Sequence, residues 1–334
     1  MTEPMPPAVG HLLMIGLPGQ DLDASTLSLI QEEGVHNFIL FRRNVRDREQ
    51  LIGLCTALRH ACLAQGLPRP LISIDQEGGQ VARLPPPFTI LPEPRGLSEL
   101  DNCQELLHDY ATICARELVE VGINMNLAPV LDCCPSGQGL FMERRCLGQA
   151  PERVAELGLV VIGALERMGV AACAKHFPGL GSARLDPHLE LPVVDRQEAR
   201  LLAEDILPFK RAAQAGVGAV MTSHAVYQGL DRRLPATLSP LVIGGLLRKG
   251  CGYDGLVITD DMEMGAIEKF MAFPEAVRQA FKAGADLILI CHDHQKVRRA
   301  LAILRQTVQE GETEAGQADD SLRRQTEVLR RLAA

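Results

Sequence analysis

The sequence predicts an α/β chain in which eight short parallel strands close into a TIM-type (β/α)8 barrel ringed by helices, a single domain over residues 1–334. Three observations carry this. Eight short apolar runs recur along the 334 residues, and nearly every one is followed by helical spacing. Runs that are apolar throughout, rather than alternating, belong to parallel strands covered on both faces. Polar residues gather at the C-terminal ends of these runs, which a barrel collects on one face. The rival doubly wound sheet carries G-x-G-x-x-G after its first strand, and Gly16-Leu17-Pro18-Gly19 does not match it.

Taken in order, residues 11–17 read as the first strand and 23–33 as a helix that Asp23 can cap. A strand at 35–41 ends in Arg42-Arg43-Asn44. A helix at 47–65 is closed by Gly66 and two prolines, and a strand at 70–75 ends in Gln76-Glu77-Gly78-Gly79. Residues 84–95 form a proline-rich loop, and 97–121 form a long helix stopped by Gly122. The fourth strand is 123–132, followed after an irregular stretch by a helix over 151–168 and a fifth strand at 170–176. Helix 197–215, strand 217–224, helix 239–249, strand 255–261, helix 273–283 and strand 285–291 follow. Terminal helices run from about 293, at 293–308 and 319–332, with GETEAGQADD between them as an exposed linker.

Composition narrows the function. Aromatics make up 4% and Trp is absent, so the core must be aliphatic. A net charge of −8 argues against a nucleic acid or an anionic membrane as partner. None of the ten cysteines shows C-x-x-C spacing, and Cys55, Cys62, Cys114, Cys173 and Cys291 lie in apolar or helical patterns. They read as small core residues in a reducing cytoplasm. The N-terminus lacks a basic region followed by an apolar core, so no secretory leader is expected. No apolar run reaches the roughly 18 residues of a membrane span.

The strand ends carry Arg42, Asp75 and Glu77, Asp132, Lys175 and His176, His224, Asp260 and Asp261, and His292. Such a mouth suits three chemistries. Metal-assisted hydrolysis could draw on His176, His224 and Asp260, although no early strand ends in H-x-H. A Schiff base could use Lys175, although no second lysine stands near to lower its pKa. Glycoside hydrolysis needs a carboxylate nucleophile, for which Asp260 follows the apolar run directly, and a proton donor. Asp186 and His188, two apart in a loop, offer an imidazole whose acidity a carboxylate can tune.

Five stretches together resemble glycoside hydrolase family 3, in its bacterial β-N-acetylhexosaminidase branch of the cell-wall recycling type. They are IDQEGGQVARL (74–84), KHFPGLG (175–181), DPHLELP (186–192), MTSHAVY (221–227) and ITDDMEMGA (258–266), standing in the family's order. The resemblance implies Asp260 as nucleophile, His188 as acid/base and Asp186 as its orienting partner. It implies Asp75, Arg83, Arg145, Lys175 and His176 as ligands of the non-reducing N-acetylglucosamine. His224 stands between a pocket role and that of a core histidine bonded to backbone. Asp261 reads as a helix N-cap or a support, and Glu77 as a residue bonding loop amides across Gly78-Gly79. No metal or organic cofactor is implied. The expected partner is a small carbohydrate, an N-acetylglucosamine-terminated glycan or muropeptide, met by a monomer.

Four positions depart from the family pattern. Gln80 stands where arginine is common, and Leu180 replaces the histidine of H-F-P-G-H-G. Pro187 replaces serine between Asp186 and His188, and MERRCLG replaces the usual arginine motif. None removes a catalytic group, and Pro187 should stiffen the acid/base loop. The alternatives are another family 3 exo-glycosidase such as a β-glucosidase, a glycoside phosphorylase, or a sugar-binding protein without catalysis.

Overall fold

A computed structural model describes residues 8–332. The N-terminal expectation concerning a leader therefore falls largely outside the described residues. Eight parallel strands form one closed barrel: β1 Leu13–Gly16, β2 Asn37–Leu40, β3 Leu71–Ile74, β4 Met125–Asn126, β5 Ala171–Phe177, β6 Ala219–Thr222, β7 Leu256–Asp261 and β8 Leu287–Ile290. Each pairs with its neighbours in sequence, and β1 closes on β8 through Leu13↔Ile288, Met14↔Leu289 and Ile15↔Ile290. Glycine is required at this seam. A Cβ on Gly16 would come within 2.0 Å of the Cys291 carbonyl oxygen.

The barrel interior is aliphatic and sulfur-rich, with Met14, Ile39, Met125, Leu127, Cys173, Met221 and Ile258 in one cluster. A second, larger cluster, including Leu13, Ile15, Phe38, Ile72 and Val257, lies between strands and helices. The alternation along each strand thus feeds two cores. All ten cysteines are free and buried. Asp23 and Asp47 cap their helices as the sequence suggests, each accepting backbone N–H groups.

Four expectations are corrected in extent. The fourth strand shrinks to two residues because Pro129 has no N–H for the ladder; pairing resumes only as a single bridge, Val130↔Lys175. The helix over 97–121 is two, Pro94–Ser98 and Cys103–Val121, parted at the turn-favouring Asp101-Asn102. Pro208 breaks the helix over 197–215 by starting a new one, Leu207–Gln214, after a π-helical turn at Leu201–Asp205. The linker GETEAGQADD is helical: Glu312–Leu332 is one helix.

That last helix is laid against the N-terminal face of the barrel. Val328 belongs to the barrel-interior cluster, with Leu329 and Leu332 packed against it. Gln325 Nε2 donates to the His11 carbonyl at 2.9 Å, and Asn37 Nδ2 donates to Gln325 Oε1 at 3.1 Å. Ser321 and Arg324 both bond the buried Asp286. Tertiary burial overrides the polar composition that suggested a linker.

Candidate active site

At the opposite face, the ends of β2, β3, β5, β7 and β8 and the loops after them surround one pocket. Asp75, Arg83, Arg145, Lys175, His176, His188 and Asp260 all line it. The sequence-predicted site residues therefore converge, with two exceptions. Asp186 stands behind His188, and His224 is fully buried outside the pocket lining.

The floor is an ion cluster. Lys175 Nζ lies 2.7 Å from Asp75 Oδ1 and 2.6 Å from Glu77 Oε1. Arg145 grips Glu77 with two bonds of 2.8 Å, through Nε and Nη2. Burial pushes the Glu77 carboxyl up, but Lys175 and Arg145 outweigh it and hold the group far below the usual carboxylate range. Burial likewise works against the Lys175 ammonium, and Asp75 and Glu77 reverse that, raising its pKa. A lysine held so firmly protonated is no Schiff-base nucleophile, which removes one of the three chemistries. Glu77 also corrects an expectation: its carboxylate bonds Arg145 and Lys175, not the amides of its own loop. Its burial beneath two cations from other elements was invisible in sequence.

Asp132 is a functional support to which the sequence assigned no role. Fully buried, it accepts from His176 Nδ1 at 2.8 Å, from the His176 amide, and from the Leu180 amide at 2.6 Å. The imidazole therefore carries its proton on Nδ1 and turns Nε2 outward, 3.4 Å from Arg145 Nη2. The only signal was its position at the end of the fourth apolar run. Arg83 reaches Asp75 at 3.6 Å, and its buried Nε has no partner.

Asp260 leaves the end of β7 with Oδ1 accepting the Asp261 N–H at 2.8 Å. Burial raises its pKa, but His224, His176, that amide and Lys175 together bring it below the ordinary value. It is a carboxylate at neutral pH. His224 resolves toward the backbone-bonded alternative. Its Nε2 donates to the Asp261 carbonyl at 2.9 Å and Nδ1 meets Thr237 Oγ1 at 2.9 Å, while burial lowers its pKa. With both nitrogens engaged it is no metal ligand. Among the described residues no cluster of three or more metal-ligating side chains forms. Of the two expectations for Asp261, cap or support, the cap fails: Asp261 closes the turn by accepting from the Glu263 amide at 3.1 Å, and the next helix begins at Gly265.

Facing Asp260 is the loop carrying Asp186 and His188. Asp186 Oδ1 accepts from His188 Nδ1 at 2.7 Å and from its amide at 2.9 Å, leaving Nε2 free. Burial opposes the Asp186 charge, yet these two bonds hold its carboxyl below the usual value. The loop is docked on the segment after β7. Ala266 N donates to the Pro187 carbonyl at 3.1 Å, Gly265 N to that of His188 at 3.2 Å, and Lys269 Nζ to that of Leu189 at 2.8 Å.

A barrel whose mouth pairs a half-buried ionised carboxylate with a carboxylate-oriented imidazole holds the groups that acid-assisted displacement at a sugar carbon needs, and the class such a mouth suits is the barrel glycoside hydrolases. Comparison with known proteins agrees. The glycosyl hydrolase family 3 N-terminal domain matches residues 8–328, and the chain belongs to that family. A curated relative from Alkalilimnicola ehrlichii, named beta-hexosaminidase, is 38% identical over 298 residues, covering 86% of this chain and 83% of its own length. A family 3 beta-N-acetylglucosaminidase from Paenibacillus sp. str. FPU-7 superposes with a TM-score of 0.93 at 39% identity. That match covers 98% of this chain, which spans 62% of the Paenibacillus chain. The beta-N-acetylhexosaminidase of Beutenbergia cavernae matches end to end, 98% of each chain, with a TM-score of 0.87 at 29% identity. The chain is a glycoside hydrolase of the same type as these relatives.

Proposed function

We propose that the protein is a retaining exo-β-N-acetylglucosaminidase that removes non-reducing terminal N-acetylglucosamine, with peptidoglycan fragments of the anhydro-muropeptide kind as its substrates in the cytoplasm. The observation that carries the reaction is the Asp186–His188 pair docked onto the turn that carries Asp260. The names of the relatives support the sugar. The recycling role rests on the resemblance to the bacterial branch of the family.

In this reading Asp260 attacks the anomeric carbon while His188, as imidazolium, protonates the leaving oxygen from Nε2. A glycosyl-enzyme ester forms, and the now neutral His188 takes a proton from water as it displaces Asp260. Asp186 keeps the imidazole in the tautomer this requires and stabilises its charged form. Asp75, Lys175, His176, Arg145 and Arg83 hold the hydroxyls of the sugar. The ion pairs already made among them pre-arrange donors and acceptors, so binding orders few side chains.

Hydrolysis of an aryl β-N-acetylglucosaminide, followed with and without inorganic phosphate, tests this reading. Turnover independent of phosphate, with an intermediate trapped on Asp260 by a slow fluorosugar, is expected. Phosphate-dependent turnover would instead make the enzyme a phosphorylase, and preference for the glucoside would make it a β-glucosidase.

A further inference from the structure

Asp261 and His292 line the same pocket and have no part in the mechanism above. His292 follows β8 and is held from two sides. Its ring lies 5.6 Å from that of Phe41, and Arg43 Nη1 stands 3.3 Å from its Nδ1. Arg43 is itself tied to the carbonyls of Leu17 and Cys291. A guanidinium only donates, so Nδ1 of His292 must accept. The neutral ring then carries its proton on Nε2, which faces Asp261 Oδ2 at 3.5 Å. Burial, with Arg43 and Lys296, keeps the ring neutral against the opposing charge of Glu263.

Every polar group of Asp261 is tied to its surroundings. Its N–H donates to Asp260 Oδ1, its carbonyl accepts from His224, and its carboxylate faces the Glu263 amide and His292. We propose that Asp261, faced by His292 Nε2 at 3.5 Å, is a positioning residue for Asp260 whose ionisation governs the acidic limb of the pH–rate profile. The inference rests on reading Asp260 as the nucleophile.

The titratable groups around Asp261 give the sign. Asp260 and Glu263 flank it on its own turn, Cys291 and His292 face it from β8, Arg43 lies beyond them after β2, and His224 stands on the β6 side. Burial and the two carboxylates push it up to about 7, restrained by the Glu263 amide and Cys291. Ionised, Asp261 places a second negative charge beside Asp260 as positive charge develops on the sugar ring. Protonated, it does not. Activity therefore rises as pH climbs through its titration.

The test is the pH dependence of kcat and KM on an aryl β-N-acetylglucosaminide for four full-length variants. Asp261→Asn should lower kcat about 10–100-fold and remove the acidic limb near neutrality, with KM changed by less than about 3-fold. His292→Leu, which removes the N–H facing Asp261, should move that limb to higher pH. His292→Asn, whose amide can still donate, should return it toward its original place. Superimposable pH profiles in the first two variants would overturn the inference. Should Asp261→Asn fail to fold, by thermal unfolding, the two His292 variants decide alone. Asp260→Ala separates the two readings: if it turns over like the parent, the nucleophile assignment fails, and if it is inactive, the other variants judge Asp261.

Discussion

The two carboxylates with assigned chemistry differ in the side chains around them. Asp260 stands half-buried among His224, His176 and Lys175, and Asp186 is bonded to an exposed imidazole. Asp260→Ala should lower turnover by about 10³-fold or more, since no neighbouring group can replace its bond to carbon. His188→Ala should cost about 10²–10⁴-fold for sugar leaving groups and less for a nitrophenyl one, which needs little protonation. A loss independent of leaving-group acidity would remove His188 from the role of acid. The sequence carried these residues because each lies in a motif with few alternatives. It could not carry Glu77 or Asp132, whose roles come from Arg145, Lys175 and His176 reaching them across 44 to 98 positions of chain.

Elements enter function mainly through the docking of the acid/base loop. Its carbonyls are received by the amides of Gly265 and Ala266, at the start of the short helix after β7. A Cβ on Gly265 would stand 2.8 Å from the Leu189 oxygen and 2.9 Å from that of His188. Gly265→Ala should therefore push the loop outward. An ångström of misplacement in a catalytic group costs about 10²-fold, so kcat should fall by 10-fold to about 100-fold while thermal stability stays near that of the parent. A variant with unchanged kinetics would show that the docked arrangement is not the working one. Pro187 belongs to the same contact, its carbonyl accepting from Ala266. The stiffness expected from its sequence is combined with an anchoring that the sequence did not reveal.

For the whole molecule, the contribution of each end of the barrel to stability can be tested. At the mouth, Glu77 is 2% exposed between two cations. Glu77→Gln leaves those cations partly uncompensated, and unfolding by urea should show a loss of about 3–5 kcal/mol. Because the folded chain holds this carboxyl below its ordinary value of 4.5, its contribution is complete above that pH and is lost as the pH falls further. The variant should accordingly lose less melting temperature than the parent between about pH 5 and pH 3. At the floor, Val328 closes the interior cluster at 4% exposure. Val328→Asp would bury a charge there and should destabilise the barrel by several kcal/mol, about 3 or more. A melting temperature within a degree or two of the parent would mean that the last helix is not needed to close the floor.

The amino-acid sequence by itself determined the barrel, since eight apolar runs separated by helical periods admit few other closures. It also put forward the candidate site residues, because most of the motifs sit at the C-terminal end of a run, where a parallel barrel must gather them. Strand and helix limits were legible wherever local signals agreed, as at Asp23, Asp47 and the helix Phe273–Ala283. Only the tertiary structure decided the rest. It turned a polar linker into the helix that seals the floor, made Glu77 the counter-ion of Lys175 and Arg145, sent His224 out of the pocket and brought His292 to Asp261. Periodicity and capping act over a few residues and leave their mark in local sequence. Burial and charge pairing act through space, between residues whose separation along the chain carries no record of their contact.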